Sequence, residues 1–422
     1  MITNLISLAK KENIDIEVFT EDCKEYSIDI QNEELNGFDI SKVCEYKIKA
    51  LYAGKVVFLN CESIDDPERI IQLIINNAKL IDNENENRLC ENDYTCLNRN
   101  NEKIDINHIR SELLKLNDYH KKYPFIKNIY SYFHYLDCKI SIDNENHHMN
   151  DEYASCFVYI DLSAEKNGEA KSVNFQIYSE KFDIEEIKIQ LEKKVEELKL
   201  LLDATSVKTN KYKVLLTNNV TNKILSSFTS AFHEKNLDMK LSPFTGKIGK
   251  KIFSDKITIL EEPLSNRFFV NKHFDSEGVL TYNKTIVDKG VFKTALNNLE
   301  YAIKNNSKPT GNASGTVNLY IKEGNKTFDE LIALMDDGLI INEIQGMHAG
   351  VDYQTGDMSL QASGFKVKNG KIVGAIDMVI LQSNINEIFG NIIEVGNDLK
   401  IFQSSSSCVS LLLDDITVSG NL

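Results

Sequence analysis

The sequence contains no tryptophan and only five prolines among 422 residues, and no apolar run approaches the ~18 residues that a membrane-spanning helix requires. A helical integral membrane protein is thereby excluded, and no membrane association is expected. No Cys-x-x-Cys pair occurs either. The eight cysteines stand at 23, 44, 61, 90, 96, 138, 156 and 408, a spacing that fits neither a zinc finger nor a secreted disulfide scaffold. Reduced thiols in a cytoplasmic protein are the simplest reading. Positive charge is in deficit, 48 Lys and Arg against 63 Asp and Glu for a net charge of -15. The averaged field repels phosphate backbones, so direct nucleic-acid binding is not expected.

What is present is an ordinary globular composition, 42% hydrophobic and 26% charged, well away from that of disordered chains. Its length exceeds what one core usually organises and suggests two or three domains. Met1 to Lys11 places Ile2, Leu5, Ile6 and Ala9 at helical spacing and lacks a basic lead and a cleavage site, which reads as a docked helix and not a signal peptide.

The chain divides into three stretches. Residues 1–104 read as an N-terminal α+β domain. It has strands at 14–20, 25–30, 43–52 and 56–59, a turn at Asn36-Gly37, and a helix started by Asp66-Pro67. A polar stretch from Asp82 to about Asp105 reads as a linker. Residues 105–210 form a middle β segment that can be continuous with the first domain. It has a short helix at 106–119, strands at 126–136, 139–142, 154–162 and 173–178, and a long helix opened by Asp183. That helix carries Ile184, Ile187, Leu191, Val195, Leu198 and Leu202 on one face. It packs on its own sheet or, less readily, helps a dimer form. Residues 211–422 are punctuated by glycine turns between short Val/Ile/Leu runs, the pattern of a large β-rich domain. The fold class expected is α+β.

In order along the C-terminal half stand Phe244-Thr245-Gly246-Lys247-Ile248-Gly249, Phe274-Asp275-Ser276-Glu277-Gly278-Val279 and Thr310-Gly311-Asn312-Ala313. Gly346-Met347-His348-Ala349-Gly350-Val351-Asp352, Thr355-Gly356-Asp357-Met358-Ser359, Ala362-Ser363-Gly364-Phe365, Asn369-Gly370-Lys371-Ile372 and Val395-Gly396-Asn397-Asp398 follow. With these blocks the chain resembles the TldD/PmbA family, strongly over residues 212–422 and elsewhere only in its order of elements. Each block also has a plain physical reading. Asn369-Gly370, for example, is a strong hairpin signal. Lys308 to Gly315 lacks the Gly-Lys-Ser/Thr of a phosphate loop and is rejected as one.

The resemblance implies that TldD-type members are zinc peptidases with His-Glu-x-x-x-His on a helix and a cysteine near the C-terminus. Counting back without gaps from Phe244, those positions fall on or near Leu225, Ser226 and Ser230, none of them a zinc ligand. The sequence therefore resembles the PmbA-type subunit, also called TldE. No catalytic residue and no metal or cofactor is expected in this chain, and zinc is expected in a TldD-type partner. The partner is such a subunit or a second copy, and the substrate an unstructured peptide. Gly346, His348, Asp352, Asp357, Ser359 and Ser363 are the expected substrate or partner contacts.

Two alternatives stand beside this reading. One is a self-sufficient metallopeptidase using His233 and Glu234, with Asp238, Cys408 or His348 completing its site. Against it, a helical projection sets His233 opposite the stripe Val220, Ile224, Leu225, Phe228, Ala231 and Phe232, facing solvent. Cys408, just ahead of an expected strand at 409–413, reads as a buried free thiol. The other alternative is a protein-binding modulator of DNA gyrase. His273 and the turn pair His147-His148 have no second ligand at a convincing spacing.

Overall fold

The computed structural model describes residues 1–82, 87–96, 104–403 and 406–421. Parts of the expected linker, residues 83–86 and 97–103, and Ser404 and Ser405 lie outside the described residues.

The N-terminal layer begins with α1 (Ile2–Lys11), β1 (Asp15–Gln31), β2 (Glu34–Tyr52), β3 (Lys55–Cys61) and α2 (Pro67–Leu80). It continues through β4 (Tyr94–Thr95), α3 (Ile106–Leu116), α4 (Tyr119–Lys122), β5 (Ile126–Asp143), β6 (His148–Lys166), β7 (Glu169–Ser179) and α5 (Ile184–Leu201). Its sheet runs β3-β2-β1-β5-β6, with β7 and the short β4 both on β6. Because β1 pairs antiparallel with β5 from Val18↔Asp143 to Gln31↔Tyr130, one sheet crosses the boundary expected near residue 104.

Several strands are longer than their apolar runs suggested. Residues 14–20 and 25–30 belong to one strand, as do 126–136 and 139–142, because the polar and cysteine residues between them pair across β1 and β5 without breaking the ladder. The turn expected at Asn36-Gly37 sits instead at Asn32-Glu33, both with positive φ, and Gly37 lies in β2 opposite Asp29. Nor are the cysteines all reduced. Cys23 and Cys138 face each other across β1 and β5, with Cα atoms 4.1 Å apart, and are joined. The other six are not joined in disulfides.

The C-terminal half starts with β8 (Asn210–Leu216), α6 (Asn218–Ser227), a 3-10 turn at Thr229–Phe232 and α7 (Glu234–Asp238). Then come β9 (Ile259–Glu261), β10 (Lys284–Asp288), β11 (Val291–Phe292), α8 (Leu299–Lys304), β12 (Leu319–Ile321) and α9 (Phe328–Met335). It ends with β13 (Gly338–Gln345), α10 (Met347–Gly350), β14 (Asp357–Lys368), β15 (Lys371–Asn384), α11 (Ile385–Gly390), β16 (Ile392–Val395), β17 (Ser406–Ser407) and β18 (Leu411–Ser419). One sheet runs β15-β14-β13-β8-β18-β16, and β15 pairs again with β18, so five strands close into a ring. A second sheet runs β11-β10-β9-β12-β17. The architecture is α+β, as expected. Among the described residues no helix is long and apolar enough to cross a membrane.

Helix α5, capped by Asp183, lies between the layers. Its buried Ile187, Leu191, Val195 and Leu198 share one core with Val158 and Phe175 of the first sheet and Leu215, Ile340 and Leu412 of the ring. That face is spent inside the chain and is not offered to a dimer partner. The linker reading is corrected where residues are described: Cys90 is buried, its N–H bonded to Glu17, and β4 pairs with β6.

Candidate functional site

Helix α6 starts one residue after β8, so the ring positions its N-terminal end. Leu225 is fully buried in the core, the Ser226 hydroxyl donates to the Lys223 carbonyl, and Ser230 is exposed. The three positions therefore meet three different surroundings. The helix also ends early, breaking after Ser227 into the 3-10 turn, so the single projection through residue 233 does not hold. His233 is extended, bridged to Leu296 and half-buried, and burial holds its imidazole below the ordinary pKa. Glu234 accepts from Asn305 Nδ2 at 2.9 Å, and Asp238 pairs with Lys304 at 2.5 Å. Cys408 is wholly buried among Val409, Leu411 and Leu413, and burial pushes its thiol well above the usual value. The strand after it begins at Leu411, two residues later than its apolar run implied. These donors do not gather, and the set does not fit a zinc ion. Among the described residues the one close group of possible ligands is Glu21, Cys23 and Cys138, whose sulfurs are bonded to each other.

The structure brings together instead a set of polar groups that spacing did not reveal. Ser406 Oγ donates to Asn222 Oδ1 at 2.8 Å, both buried. Ser410 Oγ accepts from the Asn218 N–H and donates to Asp398, which also accepts from Ser410 N–H and Asn218 Nδ2. Thr217 and Thr221 are buried beside them with unpartnered hydroxyls. The Val395-Gly396-Asn397-Asp398 block thus ties the last strands to the start of α6.

Lys400, paired through its backbone with Cys408, is the charged group most displaced here. Burial, and then the like charges of Lys194 and Lys193, lower its ammonium to about 8 from 10.5. Between those pH values the unfolded chain binds the extra proton, so stability rises with pH from about 8 to 10.5 and the penalty is full below 8. Lys400→Met is expected to stabilise the protein at pH 7 by about 1–2 kcal/mol, after allowance for screening. The gain should fade by pH 10.5, and urea unfolding at both pH values checks it.

The expected contact residues do share one surface. Gly346, with φ 83°, opens α10, where His348 is exposed. Asp352 Oδ1 accepts the N–H groups of Gln354 and Thr355, while Asp357 accepts from Asn384 Nδ2 and the Thr355 hydroxyl. Those bonds hold the exposed Asp357 carboxyl below its usual range. Ser359 and Ser363 follow on the outward-facing side of β14. Both acids serve the turn, and the turn rests on the residue that ends α6, Tyr353 lying 5.6 Å from Phe228.

The other blocks meet at the seam between the layers. Asp275 accepts from the N–H groups of Glu277, Val279 and Ala313, joining the Phe274 block to the Thr310 block. Across the seam the buried pair Lys49–Glu17, 3.0 Å apart, lies near Glu277, and burial pushes up both glutamates. A side chain at Gly278 would strike Cys90 Sγ at 2.3 Å, so only glycine closes this seam. His273 is held by Asp151 at 2.8 Å and stacked on Tyr94. His148 faces Asp143, and His147 faces Asp93. Beside the seam opens a cleft of about 240 Å³ lined by Tyr153 and Tyr178 of the first sheet and by Phe268, Lys272, Thr316 and Ser407 of the second half.

Compared with known proteins, residues 209–420 match the PmbA/TldA metallopeptidase C-terminal domain. The chain is 32% identical over 220 residues to the metalloprotease PmbA homolog of Buchnera aphidicola, covering 52% of this chain and 49% of that one. It spans about half the length of the curated relatives it matches. Among solved structures, a Thermotoga maritima protein named as a candidate modulator of a DNA gyrase superposes with a TM-score of 0.90 at 25% identity, covering 99% of both chains. TldE from Thermococcus kodakarensis superposes at 0.87 with 17% identity, covering 99% of this chain and 100% of that one, a likeness of fold alone.

Proposed function

The chain belongs to the PmbA/TldD metallopeptidase family, and from that premise we propose that it is a subunit without peptidase activity of its own. It pairs with a TldD-type zinc peptidase and holds unfolded peptide for the partner to cut. The observation that carries this reading is the donor set around α6. Leu225, Ser226 and Ser230 offer no ligand, and among the described residues His233, Glu234, Asp238 and Cys408 do not form a close group of ligand atoms. An exposed strand edge pairs with any extended main chain whatever its side chains, which suits unfolded substrates. Strand β17 ends the five-stranded sheet, though its two residues are buried. The surface from Gly346 to Ser363 is a second contact zone, facing substrate or partner.

Co-expression with the host's TldD-type chain tests this. The expected result is a stable complex that cleaves unstructured peptide, with zinc retained by the partner and lost from this chain after dialysis. Stoichiometric zinc surviving dialysis in this chain alone, with chelator-sensitive cleavage, would overturn the proposal in favour of a self-sufficient peptidase.

The name carried by the Thermotoga maritima relative favours a second reading, a modulator of DNA gyrase. At a net charge of -15 it would act through a protein contact and not through DNA. Capture of gyrase by this chain with no peptidase partner present is the result that reading requires.

A further inference from the structure

We propose that the cleft at Lys272 is a carboxylate pocket that takes the C-terminal residue of a peptide with an apolar last side chain. The inference deepens the peptide-holding reading and rests on it for the source of its ligand.

Lys272 lines the cleft with its ammonium 4.9 Å above the Tyr153 ring. Among the described residues no carboxylate lies within ion-pair distance of it. The two acids whose charge it feels are committed elsewhere. Glu21 accepts the Tyr153 hydroxyl at 3.0 Å and faces Lys47, while Asp151 accepts the N–H and the ring Nδ1 of His273. An ammonium crowded by rings and left without a counter-charge costs free energy that an incoming carboxylate would recover. Desolvation accordingly holds Lys272 below the usual lysine range.

A second group in the same cleft also lacks a partner. Thr316 is buried, and its hydroxyl has no hydrogen-bond partner, so on rotating toward the cleft it can donate to the other carboxylate oxygen. Phe268, Phe269, Val270 and Phe402 supply apolar wall beside the polar Asn318 and Gln403. Phe268 is buried against Tyr320, and Tyr178 packs edge-on to Phe269 at 5.8 Å. Such walls suit an aliphatic or aromatic side chain beside the charged end. At about 240 Å³ the space is smaller than the ~300 Å³ at which pockets for whole small ligands begin, which points to one terminal residue. Ser407 of the buried strand β17 also lines the cleft, which places the pocket at the end of the five-stranded sheet.

The test uses the full chain with three probes, N-acetylphenylalanine, its amide, and N-acetylglutamic acid α-amide, followed by calorimetry. N-acetylphenylalanine is expected to bind at least about tenfold more tightly than either other probe, since a partly desolvated charge pair is at stake. Lys272→Met should abolish that preference. Thr316→Val should weaken the free acid by about threefold while leaving the amide unchanged. Equal binding of acid and amide, or no binding of the acid, overturns the pocket. Equal binding of the glutamic acid α-amide overturns the terminal-residue assignment. If N-acetylphenylalanine binds but long peptides with a free C-terminal carboxylate do not, the pocket stands and the peptide-holding reading fails.

Discussion

Lys284→Met is expected to destabilise the protein by about 3–5 kcal/mol, the range for stripping one partner from a buried ion pair. Lys284 and Glu261 are almost wholly buried, with Nζ 2.9 Å from Oε2. Glu261 Oε1 accepts from Asn312 Nδ2 at 2.7 Å and from the Val317 N–H at 2.8 Å, and the ammonium lies 4.7 Å above the Tyr282 ring. Burial pushes the Glu261 carboxyl up, and Lys284 is the largest influence opposing it. Without the lysine the acid must either remain charged in the interior or take up a proton. Adding Glu261→Gln to Lys284→Met keeps an acceptor for Val317 and removes the stranded charge, so the double variant should recover much of the loss. Urea unfolding of the two variants checks this, and a cost under about 1 kcal/mol for the single change would mean that the pair is solvated in practice.

That pair shows where sequence reasoning stops. Features carried by neighbours in the chain were legible. Asp66 caps α2 by accepting the Arg69 N–H, and the Asn369-Gly370 turn takes the positive φ values its composition favours. Helix α9 begins with a capping box between Thr327 and Glu330. Apolar stripes placed α5 and α6, because burial leaves a periodic mark on a helix. What depends on which distant segments meet left no such mark. A break of the helix after Ser227 turned His233 from solvent toward partial burial, and the unbroken β1 and β5 were hidden by polar residues that interrupt their apolar runs while still pairing in the ladder. The Lys272 cleft gathers residues from several separate segments, so no spacing could announce it. The glycine and acid blocks were visible as patterns, yet their work in joining two loops and two layers appears only once Asp275 is seen beside Ala313 and Gly278 beside Cys90.

Asp275→Ala should cost at least about 3 kcal/mol, because one side chain serves three buried or half-buried N–H groups and each such group left without an acceptor costs about 1–3 kcal/mol. Its Oδ1 holds Glu277 and Val279, closing the turn that carries Gly278, and its Oδ2 reaches Ala313 at 2.9 Å in the other loop. Losing the first two contacts loosens the turn whose Glu277 accepts the N–H of Leu299 at the start of α8. Losing the third frees the Thr310 block, whose Asn312 supports Glu261, so the damage should spread to the neighbouring ion pair. Asp275→Asn keeps one oxygen acceptor and should cost less than half as much as alanine. If the cluster acts as a unit, the costs of Asp275→Ala and Lys284→Met will not add, and a double-mutant cycle read by urea unfolding should show coupling above about 0.5 kcal/mol. Additive costs would mean that the two networks are independent and that the Thr310 loop is held in place by its other contacts alone.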